Sequence, residues 1–227
     1  LTVRPSFAAV AYDTGDAAYG LGLTEITIAS YVVTGTNTLL LCGVLSNVGS
    51  GVGPDITFNA VNVPSLSAFV PYGTYTMAIY GLAGVSGTHD IVLSSPSGGR
   101  IGLGCVTLTG VNQGTPLGAP VQGDFTGTLA SVTVPADGMG WDFSAASGTF
   151  DCSSGLNPGT GQTSRLAECS NFSVADNEVM IYSSKRTTSG NFDWDDPVCC
   201  PVVGTIAVAV NPTVTASPGR SRRYFIE

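Results

Sequence analysis

The chain is a succession of short apolar runs that alternate with polar positions and stop at Gly, Pro, Asn or Ser. Period-two alternation marks a half-buried strand, and a continuous β-branched run bounded by turn residues marks a fully buried one. This pattern predicts strands near 6–12, 26–33, 38–45, 55–61 and 75–82, then 89–94, 102–109, 130–134, 140–144, 162–168, 178–184 and 203–210. Between them, SPSGG at 95–99 and NQGTP at 112–116 supply turn chemistry. No segment carries apolar residues at i, i+3, i+4 and i+7 over three turns behind a capping residue. The reading is an all-β chain with minimal helix, a single jelly-roll-like β-sandwich of about a dozen short antiparallel strands.

A length of 227 residues suits one all-β domain. The alternation ends at Val210, so the sandwich is assigned to 1–211 and an extended tail to 212–227, where NPTVTASPGRSRRYFIE begins after it. Only 11% of the residues are charged, and Gly alone numbers 30. Outward strand faces must then be built from Ser, Thr and other small residues, a surface that suits packing against neighbours. A formal net charge of −8 argues against nucleic-acid binding, which needs a clustered basic footprint. No run of 18 apolar residues is present, so no membrane span is expected.

Six cysteines in a chain long enough to bury its own core are optional staples rather than a framework. Cys152 and Cys169 flank a Gly/Pro/Ser-rich loop and are the candidate disulfide, worth about 3 kcal/mol of loop entropy. Cys42 in LLLCGVL and Cys105 in IGLGCVTL sit inside apolar runs and read as buried free thiols. Cys199 and Cys200 read as facing opposite sides of a strand.

The succession TNTLLLCGVLS, DITFNAVNV, YGLAGVSGTHDIVLSS, CVTLTGVNQGTPLGAP, GTGQTSRL and GTIAVAV, from Phe7 to Val210, resembles a β-sandwich domain of phage virion proteins and of bacterial secreted or surface proteins. The resemblance implies a jelly-roll-like fold, a structural or adhesive role and no catalytic residues to carry over. It also implies structural roles for Gly87 with Thr88, which turn the chain before a strand, and for Gly110 with Gly114, which close the hairpin after Cys105. The chain departs from the pattern after Glu168, in ECSNFSVADNEVMIY and NFDWDDPVCCPVV.

Candidate chemistry is sparse. A nucleophilic triad needs an imidazole, and the only histidine, His89, opens a strand beside Asp90, where a solvated turn position is expected. The run Asp193-Trp194-Asp195-Asp196 is the candidate calcium site, through Asp193, Asp195 and Asp196, although it lacks the Gly hinge and distal Glu of an EF-hand and a solvated loop competes with that reading. No other cofactor is implied. Trp194, Phe192 and Tyr182 are candidates for stacking on a glycan ring, while Trp141, alternating with Phe143, reads as core. Residues 5–99 contain no Lys or Arg, so the tail cluster Arg220, Arg222 and Arg223, followed by Tyr224, Phe225 and Ile226, reads as an arm that docks on another acidic subunit.

The expectation is a non-enzymatic structural module of a phage virion, as a capsid decoration, capsid-associated or tail protein, that self-associates at the virion surface. The alternative is a secreted, extracellular bacterial adhesin or carbohydrate-binding module on the same fold.

Overall fold

The computed structural model of the chain describes residues 6–47, 54–67, 70–72, 75–123, 130–148, 157–169, 177–185, 190–192, 194–195 and 202–215. These form eighteen strands and, among the described residues, no helix. In chain order they are β1 (Ser6–Ala8), β2 (Ala11–Val33), β3 (Leu39–Ser46), β4 (Asp55–Phe58), β5 (Val61–Asn62), β6 (Val70–Tyr72), β7 (Tyr75–Ala83), β8 (Gly87–Thr109) and β9 (Val121–Gly123). Then follow β10 (Ser131–Val132), β11 (Met139–Gly148), β12 (Asn157–Pro158), β13 (Thr163–Cys169), β14 (Asn177–Lys185), β15 (Gly190–Asn191), β16 (Trp194–Asp195), β17 (Val202–Val210) and β18 (Thr213–Thr215).

Two strands of 23 residues, β2 and β8, organise the molecule. They pair antiparallel from Ala11↔Thr109 to Val33↔Gly87. Along its other edge, β8 pairs first with β4 through 91–94 and then with β3 through 101–108. β7 adds to β3, and β6 adds to β7. The result is one antiparallel sheet that curls over itself, because the β2/β8 ribbon folds back at its midpoint.

The corner lies where the sequence places turn chemistry. Gly22 has φ +69°, and register shifts flank Leu23 on either side. On β8 a Cβ at Gly98 would lie 3.0 Å from the Gly22 carbonyl oxygen, so the two backbones meet too closely for larger residues. SPSGG is therefore a bend within one strand instead of a loop between two. The expected strands 89–94 and 102–109 are its two arms.

Alternation then decides which side chains the fold-back covers. Ile26 and Ile28 point inward, and so do Tyr31 and Val33, a change of phase that needs one extra residue. Ser30 is that residue, at φ +53°, with its N–H donated to Asp90 Oδ1 at 2.8 Å. The inner space is filled by Ile26, Ile28, Ile56, Phe58, Ile91 and Leu93 from one arm against Leu40, Cys42, Val44, Ala78, Tyr80 and Leu103 from the other.

The opposite face of the β3/β7/β8 arm packs on a second sheet, ordered β13-β14-β11-β17-β9. Leu39, Leu41, Leu45, Met77, Ile79 and Val106 meet Trp141, Phe143, Ile206 and Val208 there. β3 is thus apolar on both faces, and all eight of its residues are buried. Tyr12 stacks on Trp141, with ring centroids 6.1 Å apart, which confirms Trp141 as core. The all-β sandwich expected from the sequence is what the chain forms, although these strand orders do not establish the jelly-roll succession.

The ends of the described chain are tied together. β1 pairs antiparallel with β18, and Pro212 bridges Val111. The first residues of the expected tail, 212–215, are thus paired with the rest of the chain. After β8 the chain turns at Gly110, where φ is +71° and a Cβ would lie 2.6 Å from the Ala9 carbonyl oxygen, but the expected hairpin does not form, because β9 pairs with β17 in the other sheet. The structural role expected of Gly110 has its cause in that approach.

Candidate functional site

Cys42 and Cys105 form a disulfide, with Cα atoms 4.1 Å apart. They lie directly opposite each other on β3 and β8, and the next pair in the ladder is Gly43↔Gly104. Both sulfurs are fully buried in the fold-back core. The expectation of two free thiols is corrected here: each cysteine sits in an apolar run as read, but the antiparallel register aims both into the same inner space. The mirrored order Cys-Gly in β3 and Gly-Cys in β8 is the signal that could have shown it. In the expected Cys152–Cys169 pair, Cys152 lies outside the described residues and Cys169 ends β13, with its side chain also outside them.

Phe192 does not serve as a stacking platform. Its side chain is completely buried on the outer face of the second sheet, among Ala130, Val132, Ala207 and Ala209. Its N–H donates to the Ala130 carbonyl at 2.8 Å, and a Cβ at Gly140 would lie 3.0 Å from its ring. The small residues of β17 leave a pocket that this ring fills. Trp194 and Asp195 form β16, paired with β12, and Tyr182 lies opposite Phe143 and Leu166 in β14. Their side chains, and all of Asp193 and Asp196, lie outside the described residues, as do Cys199, Cys200 and the arm residues Arg220, Arg222, Arg223, Tyr224 and Phe225.

His89 is half-buried, and its ring packs edge-on against Phe58 with centroids 5.3 Å apart. Asp90 is engaged by the Ser30 N–H, so both members of the pair serve the curl of the ribbon. A Ser-Asp pair does occur within hydrogen-bond distance: Ser144 Oγ lies 3.0 Å from Asp142 Oδ2 and 2.7 Å from Thr205 Oγ1. All three residues are buried, so no substrate reaches that hydroxyl, and the cluster ties β11 to β17.

Two tyrosine hydroxyls tie together separate parts of the folded-back sheet. Tyr31 donates to the Thr14 carbonyl at 3.2 Å and lies 3.1 Å from Thr107 Oγ1, and Tyr80 donates to the Pro54 carbonyl at 2.8 Å. Burial pushes both phenols well above the usual tyrosine range. Burial also raises Tyr12, opposed by the Arg165 guanidinium 5.3 Å over its ring.

Two surface features remain that can meet a partner. One is a cleft of about 230 Å³ between the β4–β5 and β7–β8 turns, lined by Phe58, Asn59, Val61, Leu82, Val85 and Ser86. The other is β2 itself, which pairs with β8 on one edge and has no strand on its second edge among the described residues. At the corner of this open edge, Leu21 and Leu23 are 57% and 48% exposed.

No helix of the described residues is long and apolar enough to cross a membrane. Comparison of the chain with protein-family models, with curated proteins and with solved structures returned no match.

Proposed function

We propose that the chain is a structural surface module of a virion, as a capsid decoration, capsid-associated or tail protein, which associates with copies of itself. The observation that carries this reading is the long second edge of β2, on which no strand pairs among the described residues. An unpaired strand edge is a template for another chain, and monomeric proteins blunt theirs with lysines, prolines, a covering segment or bulges, of which β2 has only the last among its described residues. β2 contains neither Lys nor Pro. The rest of the design suits a durable building block: a central strand buried on both faces, and a disulfide enclosed where reductants do not reach it. A buried disulfide also favours an extracellular or virion-surface location over a reducing cytosol.

Light scattering on the purified chain over a dilution series tests the proposal. The expected result is a mass that is a multiple of the monomer's and falls on dilution. A monomer at every concentration removes it.

The cleft favours a second reading, as a secreted adhesin or carbohydrate-binding module. Asn59 and Ser86 can hydrogen-bond sugar hydroxyls there beside the apolar Val61 and Leu82. Calorimetric titration with a panel of oligosaccharides, repeated on Asn59→Ala, separates the two readings.

A further inference from the structure

From the composition of β2 and of the tail, we infer that the β2 corner, from Asp16 to Glu25, is the surface on which residues 220–227 of a second copy dock as an added strand. This inference rests on the reading of the chain as self-associating and names the contact that would produce it.

The acceptor is the open edge described above. Leu21 and Leu23 are exposed at its corner, and in sequence they lie between the exposed Asp16, whose Oδ1 accepts the Ala17 N–H at 2.8 Å, and the exposed Glu25. β2 contains no Lys or Arg. On the neighbouring strand, Arg100 stands opposite Leu21 and donates to the Tyr75 hydroxyl at 3.1 Å.

A strand that adds here supplies backbone hydrogen bonds along the edge, cations for the two acids and an apolar side chain for the leucines. The chain has eight cationic residues in all, and three of them are Arg220, Arg222 and Arg223, directly before Tyr224, Phe225 and Ile226. The spacing also matches. Five positions separate Asp16 from Leu21 and Arg220 from Phe225, while two separate Glu25 from Leu23 and Arg223 from Phe225. With the added strand parallel to β2, Arg220 falls on Asp16 and Phe225 on Leu21, where β2 runs in even register; the antiparallel match of Arg223 on Glu25 and Phe225 on Leu23 crosses the register shifts that flank Leu23.

Two copies pairing β2 to β2 would instead set Asp16 and Glu25 among like charges, which opposes strand pairing. Twelve residues follow Thr215, a length of chain that could span at most about 40 Å if fully extended.

The test uses full chains with reversed charges and sedimentation velocity as the readout. The tail variant is Arg220→Glu/Arg222→Glu/Arg223→Glu, and the corner variant is Asp16→Arg/Glu25→Arg, with Leu23→Lys as a second corner variant that leaves both acids in place. Circular dichroism checks that each remains β-folded. Each variant alone should associate at least tenfold more weakly than the parent chain. An equimolar mixture of the tail and corner variants should recover association, because each then presents a complementary partner. If the corner variants associate like the parent while the tail variant does not, the arm docks elsewhere and the inference falls, leaving self-association intact. If the corner variants fail and the tail variant does not, the occupant is another sheet edge, and the inference falls again. A parent chain that stays monomeric removes both the inference and the reading beneath it.

Discussion

Removing the Cys42–Cys105 bridge, in a Cys42→Ala/Cys105→Ala variant, should lower stability by about 4 kcal/mol. The two cysteines are 63 positions apart, and the loop-entropy relation gives about 3 kcal/mol for a 15-residue loop and about 4.7 for a 100-residue one. Both sulfurs lie in the packed space of the folded-back sheet, so their loss also forfeits contacts that the surrounding Val44, Ile91 and Leu103 cannot fully restore. Urea unfolding of the parent and the variant, followed by far-ultraviolet circular dichroism, measures the difference. The slope with denaturant should rise in the variant, because its unfolded chain is freer to expand, so the comparison must use the extrapolated free energies. A non-reduced digest should first show a peptide containing Cys42 linked to one containing Cys105. Equal stability of parent and variant, or an unlinked pair in the oxidised protein, would refute both the register of β3 on β8 and the account of the fold-back core.

Three further outcomes follow from the same geometry. Gly110→Ala should cost about 2 kcal/mol or more in chemical denaturation, from a left-handed backbone and the clash with Ala9, and a cost under about 0.5 kcal/mol would contradict the turn. Phe192→Ala should cost about 3–5 kcal/mol by the same measurement, whereas a glycan-stacking residue would change sugar affinity and leave stability alone. Because burial raises the pKa of Tyr31 and Tyr80 in the folded chain, the stability they confer is fully present below the ordinary phenol pKa of about 10 and is lost as pH climbs through their higher folded values. Phenolate absorbance in an alkaline titration should therefore rise in step with unfolding for these two, and smooth ionisation near pH 10 without unfolding would contradict their burial.

Much of the strand map was legible because period-two alternation is a local signal. The runs at 38–45, 75–82, 140–144 and 203–210 became β3, β7, β11 and β17 with ends shifted by a few residues. The continuity of β2 and β8 was not legible, since GLGLT and SPSGG carry the same residues whether the chain leaves the sheet or bends within it. Only the partner strand decides, and it lies dozens of residues away. The disulfide escaped for a related reason: a cysteine in an apolar run packs well as a free thiol, and opposition across β3 and β8 is a property of register. The burial of Phe192 was not legible because local sequence says nothing about the small residues of β17 that receive its ring. That no strand among the described residues pairs with the second edge of β2 could not be seen from sequence at all, as pairing partners are set by the fold.

Amide hydrogen exchange tests the central claim, self-association through the open edge, most directly. It should be measured on the parent chain and on the Arg220→Glu/Arg222→Glu/Arg223→Glu variant at the same associating concentration. The account predicts that amides between Asp16 and Glu25 are protected in the parent and exchange faster in the variant, while the amides of β3 stay protected in both. Equal exchange along β2 in the two chains, with the parent assembled, would contradict it.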